Sequence, residues 1–89
     1  MYYAYILKCA DGSYYVGHAE AIEERVSAHN AGRGAVYTRE RRPVTLVYSE
    51  VLPSLSAAMA RERQIKGWST SKKSALIRGD LDALRRLSH

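Results

Sequence analysis

A strand, a tight turn and a second strand at the start of the chain constrain the fold more than any other feature. Residues 2–9 (YYAYILKC) are rich in aromatic and aliphatic side chains, which favour a β-strand. An Asp-Gly pair at residues 11 and 12 is a strong signal for a hairpin turn, and residues 13–18 (SYYVGH) follow it as the partner strand. Residues 44–51 (VTLVYSEV) predict a third strand because β-branched side chains are frequent there. The chain therefore predicts a small three-stranded sheet that begins with a hairpin.

Helical patterns lie between and after these strands. Residues 20–30 predict a helix in which Ile22, Val26 and His29 share one side, and residues 35–42 then predict a loop. The later patterns predict helices over residues 54–66, 70–77 and 80–87. The order of strand, strand, helix, strand and helices is typical of an α+β fold, with a small three-stranded antiparallel sheet flanked by helices. We expect residues 1–89 to form a single domain, since the chain is too short for a second core.

Glu62 lies on the apolar side of its own predicted helix. Leu55, Ala58, Met59 and Ile65 recur at helical spacing, and Glu62 falls seven residues after Leu55 on the same stripe. A carboxylate directed at a core is costly unless a cation, a metal ion or hydrogen bonds hold it. Glu62 is therefore either an anchored structural acid or a functional one.

The charge is distributed unevenly along the chain. The formal net charge is +5, yet residues 1–32 carry two more acids than bases, whereas residues 33–42 and 61–78 are strongly basic. Two basic segments on one small domain indicate a polyanionic partner, for which nucleic acid is the first candidate. An ordinary basic surface is the alternative.

The residue inventory excludes several classes of protein. Cys9 is the single cysteine, which rules out an intrachain disulfide and a cysteine-based zinc site. The chain has no phosphate-binding glycine loop and no nucleophile elbow. It also has no signal peptide and no apolar run long enough to span a bilayer, so we expect a cytoplasmic protein that does not associate with membranes.

A set of unlike polar residues with apolar neighbours remains as candidates for chemistry. Whether Tyr5 and Tyr15 share a face of the sheet depends on the strand register, which the sequence does not fix. The alternative is that both are ordinary half-buried strand tyrosines. The planar guanidinium of Arg25 suits a phosphate group, or else it pairs with Glu62. The set consists of Tyr5, Tyr15, His18, Arg25, His29, Tyr37 and Glu62.

From Tyr2 to about Gly79 the sequence resembles the GIY-YIG nuclease family. It is most similar to the short stand-alone bacterial members, the YhbQ-like group related to the nuclease domain of the excision-repair protein UvrC. The segments that carry the resemblance are YAYILKCADGSYYVGH, EERVSAHNAGRGAVYT, RPVTLVYSE and ARERQIKGWS. The first tyrosine motif alone is weak, but Arg25, His29 and Glu62 follow it in the family's order, and this ordered set is specific.

The resemblance implies hydrolysis of DNA phosphodiester bonds with one divalent ion, Mg²⁺ or Mn²⁺. Glu62 matches the single metal-binding acid, and Arg25 would stabilise the equatorial oxygens of the transition state. Tyr5 and Tyr15 match the motif tyrosines. Tyr5 is the first choice for the general base that takes the proton of the attacking water, with Tyr15 and His29 as alternatives.

The resemblance also assigns residues at the margin of the site. Gly17 matches the motif glycine and would allow the phosphate to approach the strand end. His18 stands where many members have lysine, and Tyr37 is expected at the edge of the site. Some members carry an asparagine near the end of the site, but this chain has no asparagine after Asn30. The basic side chains expected to hold the flanking nucleic-acid backbone are Arg39, Arg41, Arg42, Lys72 and Lys73.

The first functional hypothesis is a metal-dependent DNA endonuclease with a role in DNA repair or processing. A partner protein or the shape of the DNA would supply its specificity, because the chain carries no additional specificity module. The second hypothesis is a nucleic-acid-binding module of the same fold with little or no cleavage activity, and the third is a structural interaction domain. The nuclease hypothesis requires Tyr5, Arg25 and Glu62 to converge on one open cleft.

Overall fold

A computed structural model describes residues 1–87 of the protein, so the last two residues of the predicted domain, 88 and 89, lie outside the described part. Three strands form one antiparallel sheet in which the first strand of the chain lies between the second and the third, which confirms the predicted α+β architecture. None of the helices within residues 1–87 has the length and apolar character needed to cross a membrane. In chain order the elements are β1 (Tyr2–Lys8), β2 (Tyr14–Ala19), α1 (Ile22–Asn30), α2 (Val36–Arg39), β3 (Thr45–Leu52), α3 (Leu55–Lys66), α4 (Thr70–Arg78) and α5 (Leu81–Arg86).

Different helices cover the two faces of the sheet. Tyr5 and Leu7 of β1 are buried on the face where the half-buried Val26 of α1 packs, which we call the α1 face. Ile6 is buried on the opposite face against Ile65, which we call the α3 face. This alternation follows from the two-residue period of a strand. The central strand is therefore buried on both sides, whereas β2 and β3 are edge strands.

The register of the hairpin settles whether the two motif tyrosines share a face. Leu7 lies opposite Tyr15, and Tyr5 lies opposite Gly17. Residues directly opposite each other in an antiparallel pair project to the same side of the sheet. Tyr5 and Tyr15 consequently both lie on the α1 face.

The segment after α1 differs from the prediction. The sequence predicted a loop over residues 35–42, but this segment contains the short helix α2. A helix of four residues gains little from its own hydrogen bonds, so contacts with the rest of the fold must hold it. Thr38 is fully buried, and the guanidinium of Arg41 donates a hydrogen bond to the carbonyl oxygen of Tyr37 at 2.8 Å. The Thr38 hydroxyl also lies 2.8 Å from Nδ1 of His29 in α1, a contact between two separate helices that no local pattern predicts.

The predicted apolar stripe of α3 is partly wrong. Ala58 and Ile65 are fully buried, but Leu55 and Met59 are 46% and 42% exposed. A three-stranded sheet covers only a narrow strip of a helix, so the flank with Leu55 and Met59 stays in solvent. Glu62 lies one turn from Ala58 and one turn from Ile65, and it is half-buried at the margin of the contact with the sheet.

Candidate active site

The phenol ring of Tyr5 lies over Gly17 of the neighbouring strand. A Cβ atom built on Gly17 would be 2.5 Å from the Tyr5 hydroxyl oxygen and 2.6 Å from its Cζ, closer than non-bonded atoms can approach. The missing side chain of Gly17 thus leaves the space that the Tyr5 ring fills. We expected a phosphate to approach Gly17, but the group that approaches it here is the Tyr5 phenol. This arrangement brings a hydroxyl from the central strand to the edge strand β2.

His29 of α1 is fully buried and connects Tyr5 with Thr38 of α2. The Tyr5 hydroxyl lies 3.0 Å from His29 Nε2, and the Thr38 hydroxyl lies 2.8 Å from His29 Nδ1. No sequence signal indicated Thr38, because its role depends on a contact between two separate helices. The three side chains form a continuous hydrogen-bonded chain in the interior.

The partners of Thr38 assign the tautomer of His29. The Thr38 hydroxyl donates its one proton to the carbonyl oxygen of Ala35 at 3.0 Å, because a carbonyl can only accept. Nδ1 of His29 must then donate to Thr38, which leaves Nε2 as the acceptor for the Tyr5 hydroxyl. The amide nitrogen of Ala35 is 3.5 Å from Nδ1, too far to compete with the 2.8 Å contact.

Burial favours the neutral forms of both Tyr5 and His29. Burial raises the pKa of Tyr5, and Arg25 opposes this rise. Burial also lowers the pKa of His29, and the positive charge of Arg25 lowers it further. At neutral pH the phenol therefore keeps its proton and donates it in a hydrogen bond to a neutral imidazole. Arg25 itself is exposed, and it has no carboxylate within ion-pair distance among residues 1–87.

Gly34 leaves room for the imidazole of His29. A Cβ atom on Gly34 would overlap Nδ1 of His29 and lie 2.6 Å from its Cγ. The sequence indicated Gly34 only as part of the loop after α1. Its structural role is to let the backbone pass directly against a buried side chain that cannot move aside.

Two further tyrosines extend the site away from His29. The ring centroid of Tyr15 is 5.0 Å from that of His29. The ring of Tyr37 stacks on Tyr15 with centroids 6.2 Å apart, and the Arg41 guanidinium lies 3.9 Å from the Tyr37 centroid on a ring face. Tyr37 therefore forms the outer end of this row of rings, and its expected role at the edge of the site stays a prediction.

The carboxylate of Glu62 is held by two nitrogen donors on the α3 face. Its Oε1 lies 2.7 Å from His18 Nδ1 and its Oε2 lies 3.1 Å from Lys66 Nζ. The sequence left open whether Glu62 pairs with Arg25, and in the structure it pairs with His18 and Lys66 instead. Lys66 follows Glu62 by four residues, so the helical spacing already contained a signal for this pair. Burial raises the pKa of Glu62, but the hydrogen bonds from His18 and Lys66 outweigh it and lower that pKa overall.

An open cleft lies at the end of β2 and the start of α1. It has a volume of about 470 Å³, and both His18 and Arg25 line it. Glu62 is connected to this cleft through its hydrogen bond with His18, whereas Tyr5 does not line it. The convergence of Tyr5, Arg25 and Glu62 on one open cleft, which the nuclease hypothesis requires, therefore stays a prediction.

Residues 1–87 contain no group of three or more histidine, cysteine or acidic side chains that could bind a metal ion. A single carboxylate is nevertheless sufficient for Mg²⁺, which commonly keeps several waters and takes one or two carboxylates together with substrate phosphates. Glu62 has the required character, because its carboxylate is 20% exposed and already attracts positively polarised donors to both oxygens. The donor set therefore fits one hydrated divalent ion.

The predicted nucleic-acid-binding residues fall into two groups. Arg39, Arg41 and Arg42 lie at or just after α2, where Arg42 Nε also donates to the carbonyl oxygen of Arg39 at 2.7 Å. The other two are on α4: Lys72 Nζ lies 4.1 Å from the centroid of the Trp68 ring, and Lys73 is half-buried. The arginines therefore support the backbone of α2 in addition to contributing positive charge.

Comparison with known proteins gives the class that this fold and site define. The family model for the GIY-YIG catalytic domain matches residues 1–75. The chain therefore belongs to the GIY-YIG nuclease family.

Several of its relatives carry the name UPF0213. The chain is 53% identical over 76 residues to a UPF0213 protein of Staphylococcus saprophyticus, covering 85% of this chain and 93% of that protein. The solution NMR structure of a UPF0213 protein from Bacillus halodurans is 39% identical, with a TM-score of 0.56 and coverage of 99% of this chain and 98% of that one. The solution NMR structure of an Enterococcus faecalis protein is 36% identical, with a TM-score of 0.60 and coverage of 88% and 83%.

Proposed function

We propose that this protein is a divalent-metal-dependent endonuclease that hydrolyses DNA phosphodiester bonds in the cytoplasm, during DNA repair or processing. The observation that carries the proposal is the buried hydrogen bond between Tyr5 and His29 beside a cleft that contains Arg25 and reaches Glu62. A proton acceptor, a phosphate-binding cation and a carboxylate are the groups that this hydrolysis requires. A structural interaction domain has no use for this combination.

Tyr5 and His29 together would move the proton of the attacking water. Because burial raises the pKa of Tyr5, a free phenolate is scarce at neutral pH. Once a water molecule reaches it, the phenol oxygen would instead take the proton of that water while the phenol passes its own proton to Nε2 of His29, an acceptor that burial and the charge of Arg25 weaken. Thr38 keeps Nε2 free to accept by binding the Nδ1–H. The sequence offered Tyr5 and His29 as alternative bases, and in this mechanism they act in series.

Arg25 and Glu62 would stabilise the charge that develops on the phosphate. The exposed guanidinium of Arg25 can donate to the equatorial oxygens of the transition state. Glu62 would hold one Mg²⁺ or Mn²⁺ ion, which when bound supplies charge stabilisation for the phosphate and the leaving oxygen. His18 and Lys66 keep the carboxylate ionised and oriented before the ion arrives. The basic residues around α2 and on α4 would hold the flanking DNA backbone.

The test is cleavage of single-stranded, duplex and branched DNA with Mg²⁺, with Mn²⁺ and with a chelator. We expect Glu62→Gln and Arg25→Ala each to lower the cleavage rate by roughly 100-fold or more. Glu24→Gln is the matched control, because Glu24 lines the same cleft but makes no contact with Tyr5 or His18 among the described residues. The proposal fails if Glu62→Gln, while folded, cuts as fast as Glu24→Gln.

One observation favours a nucleic-acid-binding module without cleavage as the second candidate. Both oxygens of Glu62 already accept from His18 and Lys66, so a metal ion must either share the carboxylate with these donors or displace one of them. If the ion does neither, the protein binds DNA through its basic groups but does not cut it. That outcome would appear as strongly salt-dependent DNA binding with no products on any substrate at millimolar Mn²⁺.

A further inference from the structure

A second pocket adjoins the candidate active site. It has a volume of about 300 Å³, at the lower limit of typical small-molecule pockets, and lies at the start of β2, whereas the Arg25 cleft lies at the end of that strand. Three aromatic or aliphatic side chains from β2, one from α2 and two lysines form it. They are Tyr14, Tyr15, Val16, Tyr37, Lys66 and Lys73.

The aromatic part of the pocket is fixed in place. The Tyr14 hydroxyl is hydrogen-bonded to Ser74 of α4 at 3.0 Å, which ties β2 to that helix. Tyr15 packs between the buried ring of His29 and the ring of Tyr37. Arg41 holds Tyr37 from a ring face, and yet 39% of Tyr37 remains exposed. The Tyr37 ring is thus held by Tyr15 and Arg41, and its exposed part is available to contact a flat ligand.

The cationic part of the pocket lacks a full complement of negative charge. Lys66 pairs with Glu62, but no carboxylate among residues 1–87 lies within ion-pair distance of Lys73. Burial lowers the pKa of Lys73, and the nearby charge of Lys66 lowers it further. An anionic group placed between the two lysines would relieve this repulsion.

We infer that this pocket binds an unpaired nucleobase and the phosphate attached to it. Aromatic faces accept any base by stacking, and lysines at the same pocket bind the backbone that carries the base. A fully paired duplex keeps its bases stacked inside the helix and so has none to offer. The inference rests on the proposed nuclease function and specifies its substrate as DNA with an unpaired nucleotide next to the cut.

The position of the pocket relative to the candidate active site supports this assignment. Tyr15 lines the pocket and contacts His29, the partner of Tyr5. Lys66 lines it too and bonds to Glu62. A nucleotide whose phosphate is bound near Glu62 and Tyr5 therefore has its neighbour beside the stacked tyrosines.

The experiment measures binding in the presence of a chelator, so that it does not depend on cleavage. The probes are a single-stranded DNA with a central 2-aminopurine, a duplex in which that base is unpaired, and a fully paired duplex. We expect the wild-type protein to quench the fluorescence of the two unpaired probes through stacking. Tyr37→Leu should weaken binding of these probes by roughly tenfold, with less than a twofold effect on the paired duplex. Tyr37→Phe keeps the ring and should bind like the wild type.

Lys73→Ala and Lys72→Ala form a matched pair, since each removes one positive charge from α4 and only Lys73 lines the pocket. Lys73→Ala should weaken the unpaired probes more than the paired duplex, whereas Lys72→Ala should weaken all three alike. Equal effects of Tyr37→Leu on paired and unpaired probes, or no quenching by the wild type, would overturn the inference. If the protein cuts DNA but the binding results differ from these expectations, the nuclease proposal stands and the pocket inference fails. If the binding results agree but the protein does not cut DNA, the pocket inference stands and the nuclease proposal fails.

Discussion

Replacing Gly17 by alanine tests whether the Tyr5 phenol is held as the structure indicates. The new methyl carbon would lie 2.5 Å from the Tyr5 hydroxyl oxygen, so the phenol or the edge strand must move by about 1 Å to restore an ordinary contact. Tyr5 is only 1% exposed, so its ring has little free space to move into. A shift of that size would also break its 3.0 Å hydrogen bond to His29.

Two costs determine the expected loss of stability. Overpacking in a well-packed core costs about 1–3 kcal/mol, and a buried imidazole nitrogen without its partner costs about 1–3 kcal/mol more. Since one movement of Tyr5 incurs both costs, we expect Gly17→Ala to lower the free energy of unfolding by roughly 2–6 kcal/mol. In a domain of this size each kcal/mol lowers the Tm by about 4–8 °C, so even the lower limit should lower the Tm by roughly 8 °C or more.

The assay is thermal and urea unfolding followed by circular dichroism, with Gly67→Ala as the control. Gly67 has φ −80°, and its Cβ would lie at an ordinary 3.6 Å from the carbonyl oxygen of Gln64, so alanine should be neutral or slightly stabilising there. In a Tyr5→Leu background the clash is absent, and Gly17→Ala should cost less than about 1 kcal/mol. Equal melting of Gly17→Ala and Gly67→Ala, or an equal cost in both backgrounds, would refute the reasoning.

Three other predictions concern the interior chain of hydrogen bonds. Thr38→Val should lower the free energy of unfolding by roughly 1–3 kcal/mol and change the ring ¹⁵N shifts of His29 in NMR, because Nδ1–H loses its acceptor. Thr38→Ser should restore both the stability and the shifts. Unchanged shifts in Thr38→Val would contradict the assigned tautomer. Because the pKa of His29 is lowered in the folded protein, its contribution to stability is complete above the ordinary pKa of 6.5 and is lost as the pH falls below that value. Urea unfolding should therefore show a larger loss of unfolding free energy on acidification in the wild type than in His29→Gln. Equal losses in the two proteins would argue against this assignment. Gly34→Ala should lower the Tm by at least as much as Gly17→Ala, since the overlapped atoms belong to the fully buried ring of His29, and a Tm close to that of the wild type would show that this ring can yield.

The sheet and the longer helices could be predicted because local patterns determine them. The run of aromatic and aliphatic residues and the Asp-Gly turn predicted the hairpin, and the observed strands differ from the predicted ones by only one residue at their ends. Ser54 and Ser69 cap α3 and α4, each accepting from a backbone N–H three residues later, as such serines commonly do. The helix α2 could not be predicted, because burial of Thr38 and contacts with distant residues stabilise it.

The candidate site could be predicted as a set of residues but not as an arrangement. The order of the motifs pointed to Tyr5, Arg25, His29 and Glu62 as site residues. It did not reveal that Tyr5 and His29 bond to each other, since this depends on strand register and on how α1 packs. The pairing of Glu62 with His18 could not be predicted either, whereas the spacing of four residues between Glu62 and Lys66 indicated their pairing.

The candidate site is divided between the first half of the chain and α3, and this division has a consequence for how the protein is made. Tyr5, His29 and Thr38 belong to the first half of the chain, whereas Glu62 and Lys66 belong to α3. A ribosome releases the N-terminal half first, and small domains fold as units once enough chain has emerged. A nascent chain that stops before α3 carries the proton-transfer residues but lacks the carboxylate. Under the proposed function, unfinished chains cannot cut the nucleic acid that surrounds them during synthesis.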